Sequence, residues 1–250
     1  VLVLAMVIGW VLIIIKEKDS ISATPHSMVE KTESSENTEN TENMENTENT
    51  DFPYDVENIV EITSMEELYL FNGGDVDNLE VYTNENGYIS FISGSFSDIE
   101  VKSPEEAILS LYGIKTLMGC KSPKDELRLE STNSDEYGSV FDFEQVYKDI
   151  PVYGRSIVVA GDGTGDASAL NSSFTSDIGI SIKPSLSEKK AIKVVEDQGD
   201  TVITNQGLYI YIDDESQPKL VWNLESNMYT YLVDAQEGTV LLENPLFIID

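Results

Sequence analysis

The chain has one imidazole and one thiol in 250 residues, His26 and Cys120. A zinc site of the His-Glu-x-x-His kind needs two imidazoles on one helical face. A Ser-His-Asp or Cys-His arrangement needs an imidazole beside its nucleophile. His26 sits in a polar stretch rich in Ser, Thr, Glu and Asn, so none of these centres is expected. Cys120 follows Gly119 at the end of an apolar-periodic run, and reads as a half-buried helix-end residue rather than a nucleophile. A lone cysteine also excludes an intrachain disulfide. Carboxylates are abundant, with 46 Asp and Glu against 15 Lys and Arg. Asp162-Gly163-Thr164-Gly165 shares part of the Asp-Thr-Gly turn of aspartic peptidases, which need two carboxylates sharing a proton. An inserted glycine and the lack of a second copy make it a hairpin turn instead. Asp162 with Asp166, or Asp213 with Asp214, would offer hard oxygens to calcium, without the spacing of an EF-hand loop. Nothing marks a glycosidase-type carboxylate pair. No cofactor and no metal ligand set is expected. Tyr209, Tyr211, Trp222, Tyr229 and Tyr231 would form either core and sheet face or an exposed aromatic platform.

The acid excess gives a formal net charge of −31. Binding to DNA or RNA depends on Lys and Arg displacing counterions from phosphate, so nucleic acid is excluded as a partner. Residues 1–15 carry no charge and are followed by Lys16-Glu17-Lys18-Asp19. As a helix they rise about 22 Å, short of a hydrocarbon core of about 30 Å. The expectation is a transmembrane anchor completed by residues before Val1, with a secretory signal peptide as the alternative. Residues 16–54 include Glu-Asn-Thr triplets, once as Glu42-Asn43-Met44. A period of three suits neither helix nor strand, and acidic self-repulsion keeps such a segment open. A disordered linker is expected there, and a folded part from residue 55 onward.

Two helix starts stand out. Ser103-Pro104-Glu105-Glu106 combines a capping hydroxyl, a proline at the first helical position and a glutamate at the third. Behind it Ala107, Ile108, Leu111, Ile114, Leu117 and Met118 share a helical face that Gly119 ends. Ser187-Glu188 opens the second helix, with Ala191, Ile192, Val194 and Val195 as its apolar residues and Gly199 as its stop. Strands are expected at Tyr88–Ile92, Val140–Tyr147, Val152–Ala160 and Ala167–Phe174. A closing meander is expected at Leu208–Ile212, Leu220–Leu224, Met228–Val233 and Thr239–Leu242. The pattern is α+β, with antiparallel sheets each backed by a helix.

The run Gln145-Val146-Tyr147-Lys148-Asp149-Ile150-Pro151-Val152-Tyr153-Gly154 resembles the signature of the propeptide module shared by fungalysin and thermolysin, the FTP domain. Phe91-Ile92-Ser93-Gly94-Ser95-Phe96 and Ser103-Pro104-Glu105-Glu106-Ala107 resemble its strand and helix start. The segment from Lys183 to Ile192 is similar to the entry of a PepSY domain, the second propeptide module. Tyr231 to Val240 resembles that module's closing hairpin. Asp149 stands where glycine is usual, Arg155 where a small residue is common, and Glu237 where threonine is usual. The resemblance implies two consecutive sheet-plus-helix modules, an FTP-like domain over 55–175 and a PepSY-like domain over 176–250.

It also implies function. Such a propeptide assists folding of a thermolysin-like metallopeptidase and blocks its cleft, acting in cis or in trans without catalysis of its own. The implied contact residues are Tyr147, Ile150, Pro151, Val152, Tyr153 and Gly154, together with Leu246, Phe247, Ile248 and Ile249 near the C-terminus. The expected protein is a non-enzymatic module tethered to the membrane by its N-terminal segment, with the folded part extracytoplasmic. Lys16 and Lys18 favour the opposite topology by the positive-inside rule; the resemblance sets the expectation. The alternatives are the propeptide portion of a secreted zinc peptidase zymogen whose catalytic domain follows Asp250, and a cell-surface protein-binding or sensor module.

Overall fold

The computed structural model describes residues 56–74 and 78–246. The expected anchor over 1–15, the linker over 16–54, His26 and the terminal Phe247, Ile248 and Ile249 lie outside the described residues. Among the described residues no helix is long and apolar enough to cross a membrane.

After a short 3-10 turn at Val56–Asn58, helix α1 runs Met65–Phe71. Its start is a capping pair: Ser64 accepts from the Glu67 amide, and the Glu67 carboxylate accepts from the Thr63 amide at 2.7 Å. Strands β1 (Glu80–Thr83) and β2 (Ile89–Ser93) follow, then α2 (Pro104–Tyr112), α3 (Lys115–Met118) and α4 (Pro123–Glu126). Next come β3 (Leu127–Asp135), β4 (Gly138–Tyr147), β5 (Ile150–Asp162) and β6 (Ala167–Ser172). Helix α5 (Glu188–Glu196) precedes a meander of β7 (Thr204–Ile212), β8 (Pro218–Glu225), β9 (Tyr229–Asp234) and β10 (Val240–Pro245).

The architecture is mixed α+β, mostly antiparallel sheet. The strands connect into one ten-stranded sheet. Registered pairs place Phe143 opposite Ile157, and Phe141 opposite Val159, which faces Leu170 and then Ile92. Opposed residues share a face, so these six residues, each at most 2% exposed, form one apolar surface. Helix α3 touches β2, and α4 touches β3 and β4. In the meander, Trp222 faces Val233 and Leu224 faces Tyr231. Ala191 and Val195 of α5 pack on Leu224, Tyr231 and Val233. Full burial of each large apolar side chain contributes about 1.5–3 kcal/mol.

The helix read from Pro104 to Met118 is broken. It ends at Gly113, and Ile114 turns out of helical geometry with φ −132°. Residues far upstream occupy the break. The Ile62 amide donates to the Gly113 carbonyl at 2.7 Å, and Glu61 accepts from the Thr116 amide at 3.2 Å. A glutamate 55 residues away in sequence thus caps α3, which no local pattern encodes. Gly119 does stop α3, at φ +71°. A Cβ there would also lie 3.0 Å from the Tyr88 ring.

Candidate functional site

The β4–β5 hairpin has an irregular backbone both at its turn and along β5. Lys148 and Asp149, its central turn residues, have φ of +51° and +66°. Positive φ at both positions is the mark of a type I′ turn, whose twist matches that of the flanking strands. Asp149 takes this conformation without glycine's freedom, at some cost. Just inside the turn, Tyr147 pairs with Ile150 and Val146 with Pro151. The register then slips. Glu144 pairs with Ser156, so Gln145 alone stands against Val152, Tyr153, Gly154 and Arg155. The result is an enlarged bulge on β5. Gly154 sits in it at φ +66° with open space where a Cβ would be, so it is the backbone angle that calls for glycine.

The bulge changes how β5 is used. Strand β4 pairs with one edge of β5 on both sides of the bulge, and β6 pairs with the other edge at Ile157–Gly161. Val152, on the near side of the bulge, makes a parallel pair with Ile210 of β7. Both are buried, at 2% and 0% exposure. The sheets that the sequence suggests as separate therefore join at Val152. The remaining residues cluster around this point. The Tyr153 ring lies 6.3 Å from Tyr209 and 6.4 Å from Tyr211, edge-on to both. The Lys148 ammonium stands 4.8 Å from the centre of the Tyr147 ring. Ile150 and Pro151 are half-buried, and Gly154 is exposed.

Gln145 locks the arrangement from the opposite side. It is 2% exposed. Its amide nitrogen donates to the Thr175 carbonyl at 2.7 Å, and its carbonyl accepts from the Thr175 amide at 2.9 Å. Gln145, which opens the signature run, is not among the contact residues that the resemblance implies. Its signal was an amide placed where strand alternation expects an apolar side chain.

Leu246 belongs to a different region. It follows β10, is 39% exposed, and its amide donates to the Met228 carbonyl at 2.7 Å. Four strand-to-strand steps separate β5 from β10, or about 19 Å at normal strand spacing. The structure thus brings Tyr147 and Ile150–Gly154 together and leaves Leu246 apart from them.

The groups that might have done chemistry are otherwise engaged. The Cys120 thiol is 3% exposed and donates to the Glu126 carboxylate at 3.2 Å. Burial, and then the charge and hydrogen bond of Glu126, push it far above the usual thiol range. Such a thiol is a poor nucleophile. Asp162 Oδ1 accepts from the Thr164 amide at 2.8 Å and from the Gly165 and Asp166 amides. Burial pushes the Asp162 carboxyl up, but the hydrogen bonds from Thr164, Asp166 and Gly165 outweigh it and hold it below its usual range. Asp213 closes the β7–β8 turn in the same way, accepting from the Glu215 and Gln217 amides. Among the described residues no group of three or more His, Cys, Asp or Glu is placed to hold a metal ion.

The five aromatics of the meander split between the two faces of the sheet. Tyr209 and Tyr211 join Tyr153. Trp222, Tyr229 and Tyr231 lie on the α5 side, where the Trp222 indole donates to the Leu186 carbonyl at 2.9 Å. They form no single platform.

The Fungalysin/Thermolysin Propeptide Motif matches residues 125–174, the span from α4 through β6 that contains the hairpin, its bulge and Gln145. No curated protein sequence matches the chain significantly. Among solved structures, the chain is similar to the Bacillus megaterium YpeB C-terminal domain. The identity is 18%, with 70% of this chain and 80% of that one covered, at a TM-score of 0.35. A likeness of that size establishes no shared role.

Proposed function

We propose that this chain is a non-catalytic, propeptide-like regulatory module that binds a thermolysin-like metallopeptidase, in cis or in trans, and inhibits it or assists its folding. The observation that carries the proposal is the propeptide motif at residues 125–174. It covers a hairpin whose turn and bulge are shaped by the positive-φ residues Lys148, Asp149 and Gly154. In this reading an FTP-like module spans 55–175 and a PepSY-like module 176–250, sharing the sheet through Val152 and Ile210. The N-terminal segment anchors the protein in a membrane, residues 16–54 space it away, and the folded part faces outward from the cytoplasm.

The mechanism is surface burial. A standard interface covers about 800 Å² on each partner, a patch roughly 30 Å across. The hairpin around Tyr147, Ile150, Pro151, Val152, Tyr153 and Gly154 and Leu246 after β10, about 19 Å apart by strand count, fit beneath one such footprint, and Phe247, Ile248 and Ile249, outside the described residues, belong to the same proposed contact. Half-buried aromatics such as Tyr147 and Tyr153 suit an interface core, because they add area at low entropic cost. The test is peptide hydrolysis by several thermolysin-like enzymes in the presence of micromolar full-length chain. Slowed hydrolysis, or a raised yield of active enzyme on refolding, is expected with at least one of them. Unchanged rates and yields with all would overturn the proposal.

A further inference from the structure

Arg155 leaves the bulge beside an open cleft of about 760 Å³, within the range of small-molecule sites, about 300–1,000 Å³. One wall is the β1–β2 turn, with Asn84, Glu85, Asn86 and Tyr88. The other is Arg155 with the β7–β8 turn at Ser216. Strand β6 lies between β2 and β5 in the sheet, so residues 172–177, which end it and continue it, run between the walls. Two strand spacings, about 10 Å, separate β2 from β5.

The side chains of this cleft are left unused. The chain holds two arginines. Arg128 is paired with Glu144 at 2.9 Å, whereas Arg155 makes no ion pair or hydrogen bond among the described residues. The hydroxyls of Tyr88, Thr175, Ser176 and Ser216 and the side-chain amide of Asn86 likewise have no hydrogen-bond partner among the described residues. Asp177 is paired with Lys121 at 3.0 Å, which leaves Glu85 as the open carboxylate of the lining. The main chain is the reverse. The Ser173, Phe174 and Thr175 amides donate to the Ser156 carbonyl, Ser172 Oγ and the Gln145 side-chain carbonyl, and the Thr175 carbonyl accepts from Gln145. A peptide strand therefore finds no template here, and a ligand is met by side chains. Asp177 and Ser216 also hold φ of +58° and +60°. Such angles cost stability in a non-glycine residue, and they gather at ligand sites.

We propose that the cleft binds a sugar bearing a carboxylate, a hexuronate unit of an acidic glycan. The Arg155 fork takes the carboxylate through two parallel hydrogen bonds. Hydroxyls and a carboxamide both donate and accept, so the free groups of Thr175, Ser176, Ser216 and Asn86 suit ring hydroxyls of either polarity. Glu85 accepts from hydroxyls at the wall away from Arg155 and repels a carboxylate there, which orients the ring. Tyr88 is half-buried, and its ring packs closely against Gly119. Held in that way, it offers a π-surface to the C–H groups of a pyranose. The bulge thereby acquires a second role: it opens β5 to β7 and also delivers Arg155 to the cleft. The site is independent of any peptidase partner.

The test is amide chemical-shift mapping of the full chain with three probes: methyl β-D-glucuronide, its neutral counterpart methyl β-D-glucoside, and Ac-Glu-NH2, which carries the carboxylate without the sugar. Shifts are expected at Tyr88, Arg155 and residues 173–177 with the glucuronide, and affinity about tenfold lower for each of the other two. Arg155→Gln should weaken the glucuronide to the level of the glucoside and leave the glucoside unchanged. The three probes test the site on the unaltered chain even if the variant folds poorly. No shifts at millimolar glucuronide, equal affinity of the two glycosides, or binding of Ac-Glu-NH2 as tight as that of the glucuronide would overturn the proposal.

Discussion

In the β7–β10 meander each turn is closed by a side-chain oxygen from within the turn itself. Asp213 accepts from the Glu215 and Gln217 amides, Ser226 from Met228 and Tyr229, and Asp234 from Gln236 and Glu237. The β4–β5 hairpin works differently. Its bulge is held by Gln145 against Thr175, 30 residues on, and by Val152 against Ile210 of another sheet region. The meander is thus specified locally, while the hairpin is specified by the rest of the fold. The propeptide motif lies on the second kind of structure, where a surface can be shaped without being dictated by its own turn residues.

Five substitutions break or sharpen this contrast, from the largest expected effect to the smallest. Phe143→Ala empties the core beneath the hairpin and should cost about 4 kcal/mol, whereas Leu224→Ala beneath α5 should cost about 3 kcal/mol. Urea denaturation measures both, and a larger loss for Leu224→Ala would reverse the ranking of the two cores. Gln145→Ala leaves the Thr175 amide and carbonyl without their partner and should cost about 2 kcal/mol. Hydrogen exchange should speed up at Thr175 but not in the meander turns; equal acceleration in both would deny that the clasp is local to the hairpin.

Asp162→Ala removes the acceptor of the β5–β6 turn and should cost about 1–2 kcal/mol at neutral pH. The folded state holds this carboxyl below its ordinary value of 3.8. The difference between wild type and variant should therefore be complete above that value and disappear as pH falls through the lower folded value. Denaturation at several pH values checks the sign. A difference that grows in acid would contradict it. The smallest effect comes from Asp149→Gly, which relieves a positive φ and should raise stability by about 0.5 kcal/mol. A loss of stability would show that the Asp149 side chain supports the turn.

The same contrast explains what could be read from sequence. The meander strands, α5 and the strands flanking the signature run follow from apolar alternation and turn residues. Strand β3 does not, because after Leu127 every residue to Asp135 is exposed. With polar side chains on both faces it has no period of two, and it forms as the partner of β4. Strand β1 is likewise half-exposed and short. Helix α1 was legible in principle, since Ser64-Met65-Glu66-Glu67 repeats the Ser-x-x-Glu pattern at Ser103. The break at Gly113 was not, because Glu61 and Ile62 supply it from a distance. At the candidate site, the residues of the signature run were named from their resemblance, while the bulge, the Gln145 clasp and the placement of Arg155 depend on register. Register is a property of paired strands rather than of one stretch of sequence.

The most direct test of the central claim is calorimetric titration of a thermolysin-like peptidase with the full chain and with Tyr153→Ser, which removes the aromatic of the bulge. Saturable binding with a Kd of about 1 µM or tighter, weakened at least tenfold by the substitution, is the expected result. No binding by the intact chain to any such peptidase, or binding indifferent to Tyr153, would contradict the account.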